Sequence, residues 1–119
     1  MIKYSTGSNQ NMEVKKLQRK IEKFWEEVDR LKKKKYTPEM AFIHLVEEVG
    51  ELAREFVNKE RRPEKYSKEN LIDAIGDILI FAFLLASLYK LDVEKLLLKV
   101  LKESKKRIKK LKRFTKNRN

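Results

Sequence analysis

The chain has 119 residues, the length of a single domain, and it contains no cysteine, which excludes disulfides, thiolate metal sites and thiol nucleophiles. A cysteine-free chain also suits a cytoplasmic protein. The net charge is +12, yet residues 95–119 hold 12 basic side chains against one acid, whereas the other 94 residues hold 18 basic and 17 acidic side chains. This asymmetry predicts an anionic partner near the C-terminus of a nearly neutral body.

The two ends of the chain differ from its centre. Residues 1–12 are polar and lack the apolar segment of a signal peptide, which predicts a flexible N-terminal arm. A helical domain is expected over residues 13–113, followed by a short basic tail over residues 114–119. The longest apolar run, residues 78–86, is far shorter than the roughly 20 residues that cross a bilayer, so no membrane partner is expected.

Hydrophobic spacing predicts helices throughout the domain. The first, over about 13–33, repeats apolar residues at intervals of three and four, namely Val14, Leu17, Ile21, Phe24, Trp25, Val28 and Leu31. The second, over about 38–59, begins at Thr37-Pro38, where a hydroxyl precedes proline. The charged residues 60–66 then predict a loop.

Two further helices complete an all-α fold of four main helices. Ser67 is a plausible cap for the third, over about 68–90, which is apolar nearly all round after Asp77 and therefore predicts a central buried helix. Asp92 is expected to cap the fourth, which is amphipathic to about residue 113. The apolar stripe of this fourth helix consists of Leu97, Leu101, Ser104, Ile108 and Leu111.

Carboxylates recur one helical turn apart on the second and third helices. Glu48 lies three residues before Glu51, Glu47 lies four before it, and Asp73 lies four before Asp77. Such carboxylates repel one another unless a cation lies between them, and their hard oxygens suit Mg²⁺ or Mn²⁺. A solvated face is the alternative for the glutamates. A Lys or Arg from another helix is the alternative partner for the aspartates, because an unpaired charge is costly in apolar surroundings.

The stretch His44-Leu45-Val46-Glu47-Glu48-Val49-Gly50-Glu51-Leu52-Ala53 resembles the Glu-Glu-x-x-Glu signature of MazG-like nucleotide pyrophosphohydrolases. The stretch Asp73-Ala74-Ile75-Gly76-Asp77-Ile78-Leu79-Ile80, followed by Leu91-Asp92, is similar to the second signature of that family, Glu-x-x-Asp before an apolar helix. The likeness covers roughly residues 14–108. It implies a four-helix bundle assembled by dimerisation, as a homodimer or homotetramer.

The resemblance also implies the metal ligands and the acid beside them. Carried over by position, Glu48, Glu51 and Asp77 would hold Mg²⁺. The fourth ligand falls on Ala74, which has no donor atom, and Asp73 is the first choice to replace it, ahead of Asn70 and Glu69. Glu47 would be the outer acid, which either supports the ligands from behind or activates water.

A late Lys…Asn…Arg pattern of the family, which contacts nucleotide phosphates, is matched only in part. Arg107 occupies the arginine position and is the best phosphate-binding candidate. Ser104 stands at the asparagine position and Val100 at the lysine position. Lys99, Lys102 and Lys106 are the further phosphate-binding candidates nearby.

Two aromatic residues near the acidic signatures have both a structural and a functional interpretation. His44 lies one turn before Glu48 and is expected to be structural rather than a metal ligand. Trp25 is expected in the core or in an interface, with stacking on a base as the alternative.

The reaction that the resemblance implies is hydrolysis of a nucleoside triphosphate to the monophosphate and pyrophosphate. The alternative is a catalytically degenerate relative that binds nucleic acid or a protein through its basic C-terminus, because Ala74 replaces a ligand.

Overall fold

The computed structural model describes residues 13–117, and over this range the chain is all-α, as the sequence predicts. The four α-helices are α1 (Val14–Lys32), α2 (Pro38–Arg61), α3 (Lys68–Leu88) and α4 (Val93–Asn117). One 3₁₀ turn, Pro63–Lys65, lies in the predicted loop between α2 and α3. The predicted arm over residues 1–12 lies outside the described residues, as do residues 118 and 119.

Side-chain caps begin three of the helices where the sequence predicts them. The Thr37 hydroxyl accepts a hydrogen bond from the backbone N–H of Met40 at 3.2 Å, at the start of α2. The Ser67 hydroxyl accepts one from Asn70 at 3.1 Å, at the start of α3. Asp92 precedes α4, and its Oδ1 accepts from the backbone N–H of Lys95 at 3.1 Å. Each cap satisfies a donor that the first turn of a helix leaves free.

Helices α1 and α2 both run antiparallel to α3 and pack against it. On the α2 side, the His44 ring stacks on Phe81 with ring centroids 5.5 Å apart. On the α1 side, Trp25 meets Phe81 at 5.5 Å, and Gln18 hydrogen-bonds to Ser87. The three helices therefore form a layered unit in which α3 contacts both of the others.

A buried glutamine ties α1 to the turn that connects α3 and α4. Gln18 is 6% exposed, and its Nε2 donates to the Ser87 hydroxyl at 3.0 Å and to the Leu91 carbonyl at 2.8 Å. Its Oε1 accepts from the backbone N–H of Val93, the first residue of α4, at 2.9 Å. One side chain thus fixes where α4 begins.

The expectation that α3 is buried at the centre is wrong for a single chain. Only Ala74 and Leu84 of α3 are buried, and 17% of its most apolar 18-residue window is covered. By length and composition alone, α3 is apolar enough to cross a membrane, a property that core helices of water-soluble proteins share. The sequence overstated its burial because apolar composition does not say which molecule covers the surface.

Helix α4 extends away from the other three. It continues to Asn117, beyond the predicted end near residue 113, so most of the expected tail is helical. It contacts α1 and α3, but no described residue of α4 contacts α2. Large apolar side chains of α4, among them Leu97, Leu98 and Leu101, are half or more exposed. A single chain therefore leaves much apolar surface uncovered.

Candidate functional site

The two acidic signatures face each other because α2 and α3 pair in antiparallel register. His44 meets Phe81, and one turn further along α2 the Glu48 carboxylate lies close enough to Asp77 to be perturbed by its charge. Continuing this register by another turn places Glu51 beside Ala74. The structure therefore places three of the predicted ligands, Glu48, Glu51 and Asp77, near enough for the charges of the other two to act on Glu48.

The carboxylates around Glu48 repel one another, and few positive charges among the described residues lie near enough to offset that repulsion. Burial raises the pKa of the Glu48 carboxyl above its ordinary value, and the charges of Asp77, Glu51 and Glu47 raise it further. His44 acts in the opposite direction. Glu48 is thus the point at which the predicted acids converge, and a cation would favour its ionised form.

The predicted substitute ligand lies apart from this convergence. Asp73 is exposed, and its charge is not among those that raise the pKa of Glu48. Together with Asp77 and Gly76, it borders a groove of about 780 Å³ between α1 and α3. Ala74 is 4% exposed, in the layer between α2 and α3. The expectation that both aspartates are enclosed by apolar side chains fails within one chain, where both are exposed.

The donor set nevertheless fits a hard divalent cation. Within residues 13–117, no three His, Asp or Glu side chains already converge as a preformed metal cage. Carboxylate oxygens from Glu48, Glu51 and Asp77 are the ligands that Mg²⁺ prefers, and their mutual repulsion is the strain that a cation relieves. These three residues are the ones that could hold a metal, and their side chains would have to move to do so.

An aromatic cleft adjoins the carboxylates. This cleft of about 510 Å³ has Glu48 and Asp77 on one side and apolar or aromatic walls from α1 and α3; its lining residues are Lys20, Ile21, Phe24, Trp25, Glu48, Asp77, Ile80 and Phe81. The Phe24 and Trp25 rings lie edge to face at 5.5 Å. The arrangement offers a stacking surface beside an acidic cluster, with Lys20 as a nearby cation.

The aromatic residues continue behind the cleft into a packed cluster. Trp25 meets Tyr36 at 4.7 Å, and Tyr36 meets His44 at 5.7 Å. The Nδ1 of His44 lies 3.4 Å from a carboxylate oxygen of Glu47. These contacts support the structural role expected for His44, and they orient Glu47 beside the cluster. The Trp25 Nε1 is buried and has no acceptor among the described residues.

Sequence reasoning identified Trp25 but missed the contributions of Tyr36, Phe81 and Lys20 to this region. Burial raises the pKa of the Tyr36 phenol, and the charges of Glu47 and Asp29 raise it further. The missed residues come from α1, the α1–α2 connection and α3, so only the packing of the helices brings them together.

The predicted phosphate-binding residues lie on α4, which does not contact α2 within the chain. Helical periodicity separates them further. Arg107 shares a face with the apolar residues Val100, Leu111 and Phe114, whereas Lys99, Lys102 and Lys106 lie on the opposite face. The structure therefore does not bring these four residues to the acidic cluster of their own chain.

Comparison with known proteins adds an independent line of evidence. No curated protein sequence matches the chain significantly. The family model of the MazG nucleotide pyrophosphohydrolase domain matches residues 36–112, which include both acidic signatures and much of α4. The match spans more than half of the chain and agrees with its all-α architecture. The chain therefore belongs to the MazG nucleotide pyrophosphohydrolase family.

Proposed function

We propose that this chain hydrolyses a nucleoside triphosphate to the monophosphate and pyrophosphate, with Mg²⁺ or Mn²⁺ bound by Glu48, Glu51 and Asp77. The observation that carries the proposal is the convergence of these acids on Glu48 across two helices, beside an aromatic cleft. Family membership supports pyrophosphohydrolase chemistry in general.

The chain's own residues would position the reactants. When bound, the metal would neutralise the phosphates and lower the pKa of an attacking water. Glu47, held beside His44, would accept the proton that this water releases. Arg107 would contact the phosphates with its planar guanidinium. Little covalent chemistry is required of the protein, because such transfers depend mainly on positioning and charge.

The aromatic cleft would receive the nucleoside. Its lining includes Phe24, Trp25 and Phe81, and it opens beside Glu48 and Asp77, so a base stacked there would place its phosphates near the acidic cluster. The buried Trp25 Nε1 is a donor that an acceptor on a ligand could satisfy after a small shift of the indole.

The functional unit would be a homodimer or a pair of homodimers in the cytoplasm. Many large apolar side chains of α2, α3 and α4 are about half exposed in one chain, including Leu79, Leu97, Leu101 and Ile108. Covering them with a second copy is favourable by about 25 cal/mol per Å².

Because α4 does not contact its own α2, Arg107 would act on the acidic cluster of the partner subunit. The same pairing would cover α3 without a membrane.

The test is pyrophosphate release from the common nucleoside triphosphates, with and without Mg²⁺. Glu48→Gln and Asp77→Asn should each lower metal-dependent hydrolysis by at least about 100-fold, because each removes one charged ligand of the metal. Glu60→Gln is the matched control, since it removes the same charge from the far end of α2. Full activity in both cluster variants, or no hydrolysis of any nucleotide by the wild-type chain, would overturn the proposal.

A second candidate is favoured by one observation, the absence of a donor atom at Ala74. In that case the chain is a catalytically degenerate MazG-like protein that binds nucleic acid or a protein partner through its basic C-terminus. The same assay distinguishes the two candidates, because a degenerate protein releases no pyrophosphate with any nucleotide and either metal.

A further inference from the structure

A continuous row of seven cations runs along one side of α4. Its members follow one another at alternating intervals of four and three residues: Lys95, Lys99, Lys102, Lys106, Lys109, Arg113 and Lys116. This spacing keeps all seven on one face of a helix. We call it the cation row. No acidic residue interrupts it, since Glu103 lies to one side of it.

The cation row lies opposite the apolar face of α4. Leu97, Leu101, Ile108 and Leu111 follow one another at intervals of four, seven and three residues, and they lie about half a turn around the helix from the row. Arg107 and Lys112 border that apolar face, one on each side of it. The two faces therefore suit different partners, an apolar protein surface on one side and an anion on the other.

Most of the charge of the row is uncompensated in the described structure, although the charge of Lys95 acts on Asp92. All seven residues are exposed, and within residues 13–117 none of them forms an ion pair. Each lies three or four residues from the next, where like charges destabilise a helix by roughly 0.2–0.5 kcal/mol per pair. A regular polyanion would replace these repulsions with favourable contacts.

We infer that the cation row binds the phosphate backbone of duplex nucleic acid, without reading its sequence. Lys95 and Lys116 are 21 residues apart, which corresponds to about 31 Å along a helix. Neighbouring cations of the row are therefore about 5 Å apart along the helix, a charge density comparable with the phosphates of a duplex, which follow one another at about 3.4 Å per strand. Six of the seven cations are lysines, which act as point charges rather than bidentate readers of base edges.

An anionic membrane is the less suitable occupant. A helix that lies on a bilayer inserts its apolar face, and its cations flank that face near the headgroups. In α4 the cation row lies directly opposite the apolar face, so insertion would direct the row away from the lipid. Insertion would also bury Arg107. The inference goes beyond the proposed hydrolysis and does not depend on it.

The experiment measures binding of the full-length chain to a short labelled duplex of mixed sequence, by fluorescence anisotropy between about 50 and 200 mM NaCl. The row variant Lys109→Gln/Arg113→Gln/Lys116→Gln should reduce the slope of log K against log[salt] by about 2–3 units. Its affinity should fall at least tenfold. The control Lys16→Gln/Lys23→Gln/Lys34→Gln loses the same charge from α1 and the turn that follows it, and it should retain the slope. Neither triple variant changes a residue assigned to hydrolysis.

Circular dichroism of the three proteins should show equal helical content, which excludes unfolding of α4 as the cause. Equal weakening in both triple variants would overturn the inference, because diffuse charge would then explain the binding. Absence of duplex binding by the wild-type chain at about 50 mM NaCl would also overturn it. So would binding to phosphatidylserine vesicles without binding to the duplex.

Discussion

Gln18 is a polar side chain at the centre of the contact between α1 and the α3–α4 turn. Its three hydrogen bonds satisfy the Ser87 hydroxyl, the Leu91 carbonyl and the Val93 N–H, and the last of these is buried. We predict that Gln18→Met lowers the free energy of unfolding by about 1–3 kcal/mol, because it leaves buried backbone groups unpaired. Urea denaturation measures the change.

Ser87→Ala provides a graded comparison for this prediction. It removes only one of the three hydrogen bonds and no backbone partner, so it should cost less than Gln18→Met. Equal stability of Gln18→Met and the wild-type chain would show that water replaces the lost hydrogen bonds.

The raised pKa of Glu48 makes stability depend on pH in a defined direction. Because the folded-state pKa lies above the ordinary value of 4.5, the fold favours the protonated carboxyl. This contribution is fully present below pH 4.5 and is lost as pH rises through the folded-state pKa. We predict that, in EDTA, Glu48→Gln gains stability relative to the wild-type chain between pH 4.5 and pH 7, as measured by urea denaturation.

With metal bound, the wild-type chain should be the more stable of the two proteins, whereas without metal Glu48→Gln is expected to be. At pH 7, Mn²⁺ should raise the melting temperature of the wild-type chain, because a metal that binds the folded state and not the unfolded state stabilises the fold. The melting temperature of Glu48→Gln should stay nearly unchanged. Glu60→Gln is again the charge-matched control and should respond to Mn²⁺ as the wild-type chain does. If Glu48→Gln and the wild-type chain differ in stability by the same amount at pH 4.5 and at pH 7 in EDTA, the pKa of Glu48 is not raised by folding, and the pH prediction is wrong.

The sequence predicts the role of a residue well when its partners lie within a few positions along the chain, and poorly when they are distant. Thr37, Ser67 and Asp92 act within one turn of helix, so their caps could be identified from spacing alone. Gln18 was missed, although Val14, Gln18, Ile21 and Trp25 are spaced by four, three and four, which places it on the buried stripe. Its partners lie about 70 positions away and follow only from the tertiary fold.

In the helix pair α2–α3, Ala74 stands where the family resemblance implies a metal ligand, and Asp73 precedes it. We predict that Asp73→Ala lowers metal-dependent hydrolysis strongly, because Asp73 lies one turn from Asp77 on the same groove and would supply the missing carboxylate after a side-chain movement. Ala74→Glu should retain or raise activity, since the register places residue 74 beside Glu51. Pyrophosphate release and Mn²⁺ titration measure both effects.

The position-74 experiment has an isosteric control. Ala74→Gln introduces the same bulk between α2 and α3 as Ala74→Glu, without the charge, and so separates steric disturbance from metal binding. Full activity in Asp73→Ala would exclude Asp73 as the substitute. Activity that appears only in Ala74→Glu would identify the natural chain as a degenerate enzyme.

The existence of the helices could be predicted far better than their surroundings. Periodicity, caps and the Thr37-Pro38 start located all four, with ends within a few residues apart from α4, which continues four residues further. The burial of α3 could not be predicted, because the same apolar residues serve equally for an internal core and for an interface. The direction of α4 depends on the Gln18 contacts, which periodicity does not reveal.

In the proposed dimer, α4 of one subunit completes the acidic cluster of the other. Two variants that are each inactive should therefore restore activity when they are mixed. Glu48→Gln and Arg107→Ala should each be nearly inactive. Mixed and allowed to exchange subunits, they should recover about a quarter of wild-type activity, because half of the dimers are mixed and each mixed dimer has one intact site. Pyrophosphate release before and after mixing measures the recovery.

The control mixture combines Glu48→Gln with Asp77→Asn. Both changes fall on the same acidic cluster, so no arrangement of subunits restores an intact site and activity should stay low. Native mass spectrometry of the mixtures confirms that exchange has occurred. Exchange without recovery in the first mixture would show that Arg107 serves the chain that carries it.

The two aspartates of α3 also affect how readily this helix could insert into a bilayer while the chain is being made. By length and composition, α3 could enter a bilayer before a second copy covers it. An aspartate near the centre of an inserting helix costs about 2.5–3.5 kcal/mol, so Asp73 and Asp77 together oppose insertion during synthesis. Neutral substitutions at both positions should therefore increase the share of newly made chain that is recovered in the membrane fraction.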